Sequence, residues 1–171
     1  MTIDYTKVAS YDVIHAMWIE LQASGLFNIN DYYADGFTDP LVPIFPSQQI
    51  PEMNNLLPGK PYITYDIQQR HTGVQFWMSQ ETIILEIISR KNGEVQAITN
   101  FLVDLFRRYD KTAIDINDEL IAGSPFKFFF FKIDSADPVQ PFSDEGGYMS
   151  GDLVVSYAYT RQIDGGTGRY V

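Results

Sequence analysis

The chain has 171 residues, with 22 acidic and 12 basic side chains, a net charge of −10 and a pI near 4.4. That balance excludes a nucleic-acid binder of the ordinary basic kind, because phosphate recognition rests on many lysine and arginine contacts. The absence of cysteine excludes disulfides, thiolate catalysis and cysteine-held metal, while 45% hydrophobic residues are enough for one domain with a real core over residues 1–171.

The opening MTIDYTKVASYDVIHAMW has no basic start followed by an apolar core of signal length. No run approaches the roughly 18 apolar residues of a membrane span, so no membrane partner is expected. Val8–Ser24 reads as a helix: Val13, Ile14, Met17, Trp18 and Leu21 recur at helical spacing, Ser10 or Asp12 supplies the cap and Gly25 ends it. His15 sits beside that stripe and reads as a packed or surface residue.

Residues 30–60 carry Pro40, Pro43, Pro46, Pro51 and Pro58, with Pro61 just beyond. Proline fixes φ and removes a donor, so neither a long helix nor a central strand fits. The segment is nonetheless apolar, and so long a connection is uncommon in a compact domain. It is an extended arm with two possible seats, its own domain or a neighbouring subunit. Leu41, Val42, Ile44, Phe45 and Ile50 are its candidate subunit contacts.

PYITYDI and ETIILEIIS alternate with period two and form two antiparallel strands joined around Gly73. Lys91–Asn92–Gly93 is a turn. Glu94–Tyr109 is the strongest helix: Val95, Ile98, Phe101, Leu102, Leu105, Phe106 and Tyr109 share one face, with Glu94 at its start and Arg107, Arg108 and Lys111 at its end, as the helix dipole favours. A brief strand is expected over Ala113–Ile116.

PFKFFFFKI then places five phenylalanines in six positions. On strict alternation Phe126, Phe128 and Phe130 face one way, and Lys127, Phe129 and Phe131 the other. Both faces are then apolar, so a second layer, the arm or another subunit must cover one of them. Phe129 and Phe131 are the candidate subunit contacts. A last strand spans Gly151–Thr160, and residues 161–171 form a flexible tail. The expected fold class is α+β: a mixed or antiparallel sheet of about four to five strands, two main helices packed on one face, and the long Pro-rich arm.

No motif names a reaction. Ser124-Pro-Phe-Lys127 has the Ser-x-x-Lys spelling of some acyl enzymes, but proline and a strand forbid the helical turn it needs. Gly165–Gly168 lacks the Lys-Ser/Thr of a phosphate loop. His15 and His71 lie far apart, and Asp134, Asp137, Asp144, Glu145 and Asp152 lack calcium-loop spacing. No catalytic, cofactor or metal residue is assigned.

The order of helix, Pro-rich connection, two strands, helix and further strands resembles the bacteriophage tail terminator (tail completion) and head–tail joining proteins. The residues that carry the likeness are VPIFPSQQIPEMNNLLPGKPYITYDI, ETIILEIIS and the helix from Glu94, within residues 8–160. The resemblance implies a virion protein, assembled in the host cytoplasm. It forms a ring, usually hexameric, that caps the tail tube and meets neck, connector or sheath proteins while DNA passes through its channel. The five-Phe run and the glycine-rich tail carry no part of that likeness. A different protein-binding α/β module and a small enzyme with an unrecognised site are the alternatives.

Overall fold

The computed structural model describes residues 8–33, 38–49, 59–70, 78–107, 113–114, 116–117, 124–141, 147–161 and 166. Its elements run in the order α1 (Ala9–Ala23), β1 (Ile44–Pro46), β2 (Tyr62–Arg70), β3 (Ser79–Ser89), α2 (Asn92–Arg107), β4 (Phe126–Ala136), β5 (Gln140–Pro141) and β6 (Met149–Arg161). One mixed sheet has the order β1-β2-β3-β6-β4, with β5 also paired to β6. β1 runs parallel to β2, and every other pairing is antiparallel. This is the expected α+β class. The sheet has six strands because two short pieces join it, β1 of three residues and β5 of two.

Period-two patterning decides which side of the sheet is buried. Ile63, Ile83, Leu85, Ile87, Leu153, Val155 and Tyr157 share one face, and all are buried. Both helices lie on that face. α2 presents Val95, Ile98, Leu102, Leu105 and Phe106 to it, all buried, as its 3.6-residue spacing requires. Gly151 of β6 admits α2 closely: a Cβ there would meet Val95 Cγ1 at 3.1 Å and Thr99 Oγ1 at 3.3 Å. α1 shares the same core through Val13, Met17 and Leu21. Burying each such aliphatic or aromatic side chain contributes roughly 1.5–3 kcal/mol.

The opposite face carries Thr64, Asp66, Thr82, Ile84, Glu86, Ser150, Asp152, Val154 and Ser156. Tyr62 and Ile88 share that face, and among the described residues no helix lies on it, yet Tyr62, Thr64, Thr82, Ile88, Ser150 and Ser156 are buried there, Ile84, Glu86, Asp152 and Val154 are half-buried, and Asp66 is exposed.

Two expectations are corrected. Neither Ser10 nor Asp12 caps α1: the N-cap is Val8, without a side-chain cap. Both polar residues turn inward, where Asp12 accepts a short hydrogen bond from Ser124 Oγ and Ser10 reaches the Tyr157 hydroxyl. Gly25, at φ 76°, does end the helix as expected. Ala113–Ile116 is not a strand: residues 113–114 and 116–117 are helical. Ala113 and Ile116 are buried, and Ile116 lies beside Val13, Met17, Leu105 and Phe106 of the two helices. The Gly73 turn, Ile50 and the second half of the arm, Arg108, Tyr109 and Lys111, and nearly all of the 161–171 tail lie outside the described residues.

Candidate functional site

The phenylalanine strand breaks the expected alternation. Phe128 pairs with Tyr159, but the next registered pair is Phe130 with Ala158, so Phe129 is an extra residue in a bulge. The bulge turns Phe131 onto the helix-covered face. Phe126, Phe128 and Phe131 are all buried there, with Phe131 stacked between Phe106 (5.6 Å) and Phe128 (5.6 Å). Phe131 is therefore a core residue of its own chain rather than a surface contact. Phe129, displaced by the bulge, is 39% exposed. A second register shift follows between Ile133 and Ser135, so Asp134 is also an extra residue.

β4 is the outermost strand on its side of the sheet. At Phe128 its outer edge is closed by Asn117, whose side-chain carboxamide donates to Phe128 O and accepts from Phe128 N, both at 2.8 Å. The Phe128 backbone groups thus point away from β6. Tyr159 and Tyr157 of β6 share parity, so the groups of Phe131, opposite Tyr157, point outward as well; those of Ile133, opposite Val155, do too. Among the described residues nothing pairs with them. Phe131 is nonetheless wholly buried, and beside it a groove of about 330 Å³ is lined by Phe106, Arg107, Phe131, Lys132 and Ile133. Lys132 is tied to Asp134 at 3.1 Å.

The arm's candidate contacts separate. Ile44 is buried in β1, opposite Ile63, and belongs to the core. Phe45 and Leu41 are half-buried against that core, whereas Val42 is 42% exposed. Ile50 lies outside the described residues.

A second cavity, of about 360 Å³, opens where α2 begins; its lining includes Asp31, Tyr32, Lys60, Lys91 and Glu94. Its polar groups are engaged with one another. Lys60 pairs with Asp31 at 3.3 Å, Lys91 with Glu94 at 2.7 Å, and the Tyr32 hydroxyl donates to Pro61 O at 2.8 Å. Burial alone would raise the Glu94 carboxyl, but hydrogen bonds from Lys91 and Ser89 hold it below its ordinary value. The pattern is that of a braced helix start.

The second sheet face also gathers titratable groups among the described residues. Glu86 and Asp152 stand directly opposite each other on β3 and β6, in a groove of about 190 Å³ that also touches Ser47, Thr64 and Asp66. Burial first, and then the Asp152 charge, raises the Glu86 carboxyl; burial and then Asp137 raise Asp152. Tyr62 on this face is pushed up to about 12 by burial, then by Tyr148 and Glu86. Within the core, Glu81 accepts from the hydroxyls of Tyr157 and Tyr159, both at 2.7 Å, and burial with that carboxylate raises both phenols.

Among the described residues no group of three or more His, Asp or Glu could hold a metal ion. Asp134, Asp137 and Asp152 do not converge as a ligand set, and His15 lies on α1 beside Tyr11. Asp144, Glu145, His71 and Gly165 lie outside the described residues. Among the described residues no helix is long and apolar enough to cross a membrane. No family model matches the chain, and no curated protein matches its sequence. Sequence reasoning missed the Asn117 clasp and the groove beside Arg107, which arise only when α2 and β4 meet.

Proposed function

We propose that the chain is a phage virion protein of the tail terminator or neck type, which assembles with its own copies into a ring. The ring caps the tail tube, stops its growth by steric blockage and leaves a channel for DNA. The observation that carries this reading is the order and layering of the elements. α1, a proline-bearing connection, the antiparallel pair β2–β3, α2 and the closing strands build one sheet with both helices on one face. That is the arrangement the sequence resemblance calls for. The acidic balance, a net charge of −10, supports it, because a negative lumen would repel passing phosphates and not retain them. Its partners are further copies of itself, the tail tube protein and neck or sheath proteins.

Negative-stain electron microscopy of the purified chain at high concentration, with light scattering on the same sample, tests the reading. Closed rings are the expected result, together with capture of tail tube protein in a pull-down. A monomer that captures no tube protein overturns it.

A further inference from the structure

We propose that the start of α2 is a self-modification site: the Gly93 backbone nitrogen attacks the Asn92 side-chain carboxamide and converts position 92 to an aspartyl or isoaspartyl residue. The site needs no partner and is independent of the ring reading.

Asn92–Gly93 is the only Asn-Gly step in the chain, and four observations keep it reactive in the folded protein. First, both residues are exposed. Second, neither reacting group is tied down. The Asn92 carboxamide makes no hydrogen bond among the described residues, and no described group accepts from the Gly93 N–H, one of the first amides of the helix. The brace at this helix start runs through the neighbours instead. Ser89 Oγ donates to Glu94 at 2.7 Å and accepts from Lys91 N at 3.2 Å, and Lys91 pairs with Glu94. Third, nothing crowds the nitrogen: a Cβ built on Gly93 would meet no atom within 4 Å. Fourth, the attacking nitrogen turns negative as it loses its proton, and it lies at the positive end of the α2 dipole.

Ring closure needs the first turn to open, so that the nitrogen swings toward Cγ. Opening a helix end is among the cheapest local unfolding events in a fold, and glycine at this position lowers the cost further. Asn100 is the contrast on the same helix. It is exposed too, but the residue after it is Phe101, whose N–H lies inside the α2 ladder.

The step balances with water as the only co-reactant. The bond from Gly93 N to Asn92 Cγ forms, the Cγ–Nδ2 bond breaks, and ammonia leaves with the proton from the Gly93 nitrogen, giving a cyclic succinimide. Water then opens the ring at either carbonyl. Attack at Cγ restores the ordinary chain with a side-chain carboxylate. Attack at the backbone carbonyl leaves an isoaspartyl linkage, with the chain routed through Cβ. Either product adds a negative charge to the first turn, beside the cavity that Lys91, Gly93 and Glu94 help to line. The aspartyl form suits the helix dipole, whereas the isoaspartyl form lengthens the backbone within the brace.

The test is mass spectrometry of the full native chain, held at mildly alkaline pH and sampled over weeks. Trypsin cuts after Lys91 and Arg107, so one peptide, Asn92–Arg107, carries Asn92 with Asn100 as an internal control. The expected result is a growing mass shift at position 92 that corresponds to NH replaced by O, in two chromatographically distinct forms, with Asn100 unchanged. Gly93→Ala should slow the reaction about tenfold or more, because the methyl group shields the nitrogen and restricts the backbone. Asn92→Gln, whose longer side chain closes a less favourable ring, should stay unmodified over the same period, and circular dichroism confirms that both variants are folded. A native chain that stays unmodified at position 92 overturns the proposal, and modification of the same chain in urea would then show that the fold shields the pair. Equal modification at Asn92 and Asn100, or an unchanged rate in Gly93→Ala, overturns it as well, because the glycine is then not what makes the site.

Discussion

Glu86 and Asp152 meet head-on across β3 and β6, and like charges directly opposite in a sheet destabilise it. The groups around the pair do not cancel the repulsion. Thr64 and Ser150 hydrogen-bond Glu86, while Asp66 and Asp137 add further negative charge. Both carboxyls stand above their ordinary values, and the sign of the pH effect follows. A raised acid costs stability wherever it is ionised in the folded state. That cost is full above its folded pKa and gone below its unfolded value, so this pair makes the fold relatively more stable on mild acidification. Glu94, which stands below its ordinary value, works the other way: its contribution is present at neutral pH and lost as pH falls through its folded value. Glu86→Gln keeps the size and can keep the hydroxyl contacts while removing one charge. It should stabilise the fold at pH 7 by about 0.2–1 kcal/mol, toward the low end because the site is partly solvated. The gap from wild type should close near pH 4, where ordinary glutamates protonate. Urea denaturation at the two pH values checks this, and a gap that widens on acidification would reverse the assignment.

β4 is where element-level reading of the sequence succeeded and then stopped. A strand was legible over the phenylalanine run, as were α1, α2, β2, β3 and β6, because each shows contrast at period two or 3.6. The bulge was not legible. With phenylalanine at positions 128, 129, 130 and 131, every register presents the same side chain, so no sequence contrast marks which residue is extra. Phe131→Ala should cost about 3–5 kcal/mol, as for other buried aromatics, whereas Phe129→Ala should stay within about 0.5 kcal/mol. Equal losses in thermal unfolding would place both residues on the core face and remove the bulge. β1 was hidden for a different reason: three residues ending in Pro46 carry no period, and their strand pairing depends on β2 lying alongside. Gly151 lets α2 approach β6 closely, and that too is readable only from the packing. Gly151→Ala should lose about 1–3 kcal/mol to overpacking against Val95 and Thr99. Adding Val95→Ala should return part of that loss, and a double variant no better than the sum of its singles would show that the two sites do not touch.

At the scale of the whole molecule, two electrostatic effects of opposite sign act on assembly. Each copy carries −10, so copies repel at long range, while opposite charges brought together across a contact between copies attract at short range. Salt separates the two. The screening length is roughly 30 Å at 0.01 M, about 8 Å at 0.15 M and about 3 Å at 1 M. Between the first two conditions the repulsion between whole molecules fades, but a charge pair in contact is little affected. Toward 1 M the pair itself weakens. Self-association should therefore strengthen from 0.01 to 0.15 M and fall off again near 1 M, with sedimentation as the measure. Steady strengthening of the wild type up to 1 M would mean that the interface is held by apolar contact alone, through residues such as Val42 and Phe129. Steady weakening from the lowest salt would mean that opposite charges across the contact outweigh the net charge of the chain.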